Sequence, residues 1–112
     1  MLTRRALEKL LEDLLHDLFK TGLDPEKVIL FGSYSKGGVH TYSDIDLAIW
    51  SHKFVGEGLI DLELIRPLMR KYRNLDIKMY PAGANAENFD PFIRVIEDTG
   101  RKLNLPEKSI FC

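Results

Sequence analysis

Two aspartates, Asp44 and Asp46, stand at the head of an apolar run that continues Leu47-Ala48-Ile49-Trp50. Such a run reads as a strand, and strand residues at i and i+2 share one face of a sheet. Asp44 and Asp46 are therefore expected side by side, with Ile45 and Leu47 facing the opposite way into a core. Adjacent carboxylates on one face of a buried strand repel each other and are costly to desolvate. The arrangement is best tolerated when a hard divalent cation such as Mg²⁺ sits between them.

The segment before the aspartates has a logic of its own. The apolar run Val28-Ile29-Leu30-Phe31 stops abruptly at Gly32-Ser33 and gives way to small and polar residues. Gly32 permits close backbone approach and unusual dihedrals. Ser33 offers a hydroxyl and an N–H to an anion, Lys36 adds positive charge, and Gly37-Gly38 let the chain turn back. A glycine-rich turn after a strand is a plausible phosphate cradle. It lacks the G-K-[ST] of a Walker loop and the G-x-G-x-x-G of a dinucleotide fingerprint.

Together, G-S-Y-S-K-G followed by S-D-I-D-L resembles the nucleotidyltransferase superfamily that includes DNA polymerase beta, and within it the small stand-alone members, the minimal nucleotidyltransferases. In that family a Gly-Ser pair follows the first strand, and ten residues separate the Ser from a D-x-D on the second, as they separate Ser33 from Asp44 here. The family's third carboxylate lies on a later strand, where Asp76 stands in Leu75-Asp76-Ile77-Lys78-Met79-Tyr80. The resemblance implies an α/β (α+β) nucleotidyltransferase fold, a small mixed sheet with helices packed on one face. It implies Asp44, Asp46 and Asp76 as catalytic and metal-binding residues, and a nucleotide contact through Gly32, Ser33, Lys36 and Gly37. Three carboxylates on neighbouring strands can hold two Mg²⁺ ions ~3.5–4 Å apart. The donor it implies is a nucleoside triphosphate, ATP in the members that transfer AMP. Lys78, two residues on from Asp76, shares the carboxylate face and is placed to meet an aspartate or a phosphate.

The remaining elements follow from periodicity. Leu7, Leu10, Leu11, Leu14, Leu15, Leu18 and Phe19 recur at helical spacing, and Gly22 closes that helix. A second helix is expected over about Leu59 to Tyr72, with Leu62, Ile65, Leu68, Met69 and Tyr72 inward and a kink or break at Pro67. Strands are expected over Lys27 to Phe31, Asp44 to Trp50 and Leu75 to Tyr80, and a short helical turn over Val39 to Ser43. Asp90-Pro91 starts a third helix whose stripe is Phe92, Ile93, Val95 and Ile96 and whose end is Gly100; the residues after it are irregular or a short edge strand.

At 112 residues the expectation is one domain, 1–112, with one modest core. Its 16 basic and 17 acidic side chains leave a net charge of -1, which argues against a general nucleic-acid binder. The single cysteine, Cys112, excludes a disulfide framework. No apolar run approaches the ~20 residues needed to span a membrane, and a cytoplasmic location is expected. There is no credible nucleophilic triad.

The resemblance implies a helical HEPN-type protein partner, with this chain as the nucleotidyltransferase antitoxin, since the R-x4-H-x-Y motif of HEPN toxins is absent here. A partner is expected to meet the loop carrying Tyr34, Lys36, His40 and Tyr42. Two alternatives stay open: a non-catalytic binding module of the same fold, and a small-molecule nucleotidyltransferase completed by another subunit. Homo-oligomerisation stays open as well.

Overall fold

The computed structural model describes residues 4–32 and 45–105. Along the chain run α1 (Arg4–Lys20), β1 (Pro25–Phe31), β2 (Ile45–Ser51), α2 (Gly58–Lys71), β3 (Leu75–Pro81), α3 (Phe92–Thr99) and β4 (Arg101–Lys102). The four strands form a mixed sheet in the order β3-β2-β1-β4. β1 pairs antiparallel with β2 and with β4, while β2 and β3 are parallel and joined through α2. This is the mixed α/β architecture expected of the sequence. The turn proposed for Val39 to Ser43 lies outside the described residues.

Period-two alternation divides the sheet residues between two cores. On one face Val28, Leu30, Leu47, Ile49 and Ile77 meet the leucine stripe of α1 and the inner side of α2. On the other, Ile29, Phe31, Ala48, Trp50 and Tyr80 meet α3. The expectation of helices on one face thus describes α1 and α2, whereas α3 packs on the opposite face. It is anchored there by Ile93 and Ile96, one helical turn apart and fully buried against Ile29, Phe31, Ala48 and Trp50. Each such side chain contributes about 1.5–3 kcal/mol on burial. Phe92 and Val95, expected in the same stripe, are 40% and 48% exposed.

α2 runs unbroken through Pro67. The proline is exposed, as is Glu63 one turn earlier, so the carbonyl deprived of its helical N–H can turn to water. Met69, expected inward, is 40% exposed; Leu68 beside it takes the buried position.

α1 and α2 are also tied by polar contacts. Asp17 accepts hydrogen bonds from Lys71 Nζ at 2.8 Å and from the Tyr72 hydroxyl. The Lys71 hydrogen bond, then that of Tyr72, holds the Asp17 carboxyl below its ordinary range. A carboxyl lowered in the folded state adds stability above its unfolded pKa and loses it as pH falls through the folded value. The melting-temperature gap between wild type and Asp17→Asn should therefore be present at neutral pH and close on acidification below the normal carboxylate range. Thermal melts across pH 2–7 check this, and a gap that widens on acidification contradicts it.

Candidate active site

β1 ends where the site begins. Phe31 pairs with Asp46 across the antiparallel ladder, and Asp46 pairs with Asp76 across the parallel one. Asp76 and Asp46 are thus level on neighbouring strands, which sets their backbones ~4.8 Å apart. Both belong to the face that carries Ala48 and Trp50 on β2 and Lys78 and Tyr80 on β3. Asp46 is half-buried and Asp76 exposed, so the pair opens to solvent on the β3 side.

Gly32 follows Phe31 directly and has φ +74°. A Cβ built on it would fall 2.2 Å from Asp46 Oδ2. The carboxylate therefore occupies the room that a side chain at position 32 would take. This ties the first glycine of the loop to the second strand of the sheet. Ser33, Lys36, Gly37 and Asp44 lie outside the described residues, as do Tyr34, His40 and Tyr42. Among the described residues no group of three or more His, Cys, Asp or Glu side chains could hold a metal. Asp46 and Asp76 nonetheless offer oxygen-only donors at one level of the sheet, and this fits a hard cation of the Mg²⁺ type.

One row further along the sheet lies Lys78, in register with Ala48. Its ammonium sits 5.4 Å from the centroid of the Phe92 ring, a cation–π contact, and Phe92 meets Phe31 edge-on at 6.0 Å. α3 thus begins beside the carboxylate row. Beyond it, Tyr80 packs on Trp50 at 5.0 Å and donates to Asp90 Oδ2 at 3.3 Å. Burial, with the Asp90 charge second, pushes the Tyr80 phenol up to about 12, so it stays protonated and is no general base at neutral pH. Asp90 Oδ1 also accepts the Phe92 N–H at 3.0 Å and holds the first turn of α3.

Asp61 is the residue that sequence reasoning missed. It is 1% exposed and accepts the N–H of Val55 at 2.9 Å and of Gly56 at 3.0 Å. Its signal was an acid in the first turn of a helix that follows a glycine-punctuated loop. Asp61 fixes that loop against the start of α2, beside β3. Asp61→Ala should cost roughly 1–3 kcal/mol, because it strands two N–H donors that the Asp61 side-chain oxygens now satisfy. Urea denaturation checks this; a loss under about 0.5 kcal/mol would mean the loop holds itself.

The glycine that follows β1 thus lies against Asp46 of β2, and Asp46 lies level with Asp76 of β3. The family model for the nucleotidyltransferase domain matches residues 7–104, and the chain belongs to that family of enzymes. No curated protein matches the sequence significantly. Among solved structures, the fold resembles the crystal structure of a toxin–antitoxin with AMP-PNP, with a TM-score of 0.59 and 22% identity over 86% of this chain and 74% of that one. It also resembles a mutant of the toxin–antitoxin MntA–HpeT, with a TM-score of 0.55 and 22% identity over 89% of this chain and 74% of that one. At that identity the likeness is one of fold. No helix among the described residues is long and apolar enough to cross a membrane.

Proposed function

We propose that this chain transfers AMP from ATP to a hydroxyl of a protein partner, a tyrosine of a helical HEPN-type toxin, and is the antitoxin of a toxin–antitoxin module. The observation that carries the reading is the level pairing of Asp46 with Asp76, beside the glycine that ends β1. The toxin–antitoxin neighbours, one of them with AMP-PNP, support the partner and the nucleotide.

Asp44, two residues before Asp46 in the sequence, completes the set of carboxylates that would hold Mg²⁺. Two Mg²⁺ ions, when bound, neutralise phosphate charge and lower the pKa of the acceptor hydroxyl. The residues themselves bind and orient. Gly32, Ser33, Lys36 and Gly37 receive the triphosphate through backbone N–H groups, a hydroxyl and an ammonium. Asp76, which is exposed, faces the acceptor and takes its proton. The acceptor oxygen then bonds to the α-phosphorus, the bond from that phosphorus to the bridging oxygen breaks, and pyrophosphate leaves. Positioning and charge supply most of the rate, and no covalent enzyme intermediate is required.

Incubation with ATP labelled on the α-phosphate, Mg²⁺ and the purified product of the adjoining gene tests the reading. Label should move onto that protein; label that stays in ATP under all conditions contradicts it. Within the same reading, Ser33→Ala should weaken ATP binding by about 0.5–3 kcal/mol in calorimetry. Equal affinity for mutant and wild type would move the phosphate site elsewhere.

A further inference from the structure

β3 is the outermost strand of the sheet among the described residues. The parallel ladder starts with Ile45 N–H donating to the Asn74 carbonyl and ends with Ala82 N–H donating to the Ser51 carbonyl. Bonds in such a ladder alternate along the strand. The even residues Asp76, Lys78 and Tyr80 therefore turn their N–H and C=O toward β2, and Ile77 and Met79 turn theirs outward. β3 is last in the sheet order, so no strand among the described residues receives them. Beside β3 lies a groove of about 310 Å³ lined by Gly56, Asp61, Ile77, Met79, Tyr80 and Phe89, and Gly56 comes close to Phe89 next to Pro81. Lys78 lines it as well. Among its lining residues Phe89 is a large apolar side chain left 48% exposed.

We propose that this groove takes an extended segment of the acceptor protein, added to β3 as a fifth strand. Unpaired edges with flanking side-chain pockets bind peptides in this way, main-chain bonds giving affinity and alternate side chains specificity. The occupant follows from the row of side chains. A residue opposite Asp76 projects onto the carboxylate face, within reach of Asp46 and Asp76, and carries the hydroxyl. The residue opposite Lys78 is acidic, since Lys78 has a ring contact and no carboxylate partner among the described residues. The residue opposite Tyr80 is apolar and covers Phe89, whose ring meets Tyr80 edge-on at 5.9 Å. The hydroxyl assignment rests on the transfer proposed above; strand addition itself does not.

The two ideas separate experimentally. Met79→Pro removes an outward N–H and no bond to β2, and edge positions tolerate proline. Met79→Ala loses the same side chain and keeps the N–H. The probe is the purified product of the adjoining gene, and the readouts are its affinity, label transfer from ATP, and exchange of the Ile77 and Met79 amides followed by NMR. Both amides should slow in the complex, and Met79→Pro should bind about tenfold more weakly than Met79→Ala. ATP affinity of the two variants should match. If Met79→Pro does not fold, Phe89→Glu and the amide exchange of the wild type carry the test. Protection without label transfer upholds the groove and contradicts the transfer. Label transfer without protection, with Met79→Pro as competent as Met79→Ala, overturns the groove and leaves the transfer standing. Protection that appears on raising the concentration of this chain alone also overturns it, because the edge then belongs to a second copy. So does the absence of any protection.

Discussion

Asp46→Asn should lower nucleotidyl transfer by roughly 10²–10³-fold or more while leaving the fold intact, since a group fixed where reaction charge must be balanced carries effects of that size. The substitution keeps the shape of the side chain and removes its charge. Asp46 lies level with Asp76 and against Gly32, so its carboxylate is the point where the loop and both strands meet. The core beneath is built by Ile45 and Leu47, which face the other way and are not touched. Losing one of several crowded like charges should leave the melting temperature unchanged or slightly raised without Mg²⁺. A mutant with wild-type turnover at saturating Mg²⁺ would remove Asp46 from the mechanism. A mutant that is inactive because it is unfolded would show it in the melt.

Gly32→Ala should cost nearly as much activity by a different route. The added Cβ falls 2.2 Å from Asp46 Oδ2, so the carboxylate must move. Displacing a catalytic group by about 1 Å can cost on the order of a hundredfold in rate. The backbone adds its own term, because a φ of +74° is unfavourable for alanine by about 1–2 kcal/mol. Gly83→Ala separates the two effects. Gly83 has φ +82° with nothing within 4 Å of the added Cβ, so it shares the strain and lacks the collision. The expected result is a similar drop in melting temperature for both variants and a loss of transfer in Gly32→Ala alone. Equal transfer in both would mean the site does not depend on the Gly32–Asp46 contact.

What the sequence made legible is what local periodicity and spacing determine. The leucine stripe of α1, the alternation of β2 and β3, and the family membership were all readable from neighbours in the chain. Placing Asp46, Lys78 and Trp50 relative to their strand faces needed only a period of two. The level pairing of Asp46 with Asp76 was not readable, because register depends on how α2 and its loops carry the chain from β2 to β3. The face that α3 covers was hidden for the same reason: the spacing of Ile93 and Ile96 shows that a stripe exists, not which side of the sheet it meets. Asp61 carries no local mark that separates it from a solvated acid in a first helical turn. Its burial comes from the loop at Val55 and Gly56 folding back onto it, and neither residue announces that. Pro67 was read from its intrinsic cost, which an exposed position relieves.

Under the proposed function this chain modifies a toxin partner and does not merely hold it. Intact-mass spectrometry of the adjoining gene product, co-expressed with this chain, tests that most directly. The wild-type chain should add the mass of AMP to the partner, and the Asp44→Asn/Asp46→Asn double variant should leave the partner unmodified and active as a toxin. An unmodified partner that is neutralised equally well by wild type and double variant would contradict the account, and the fold would then serve as a binder alone.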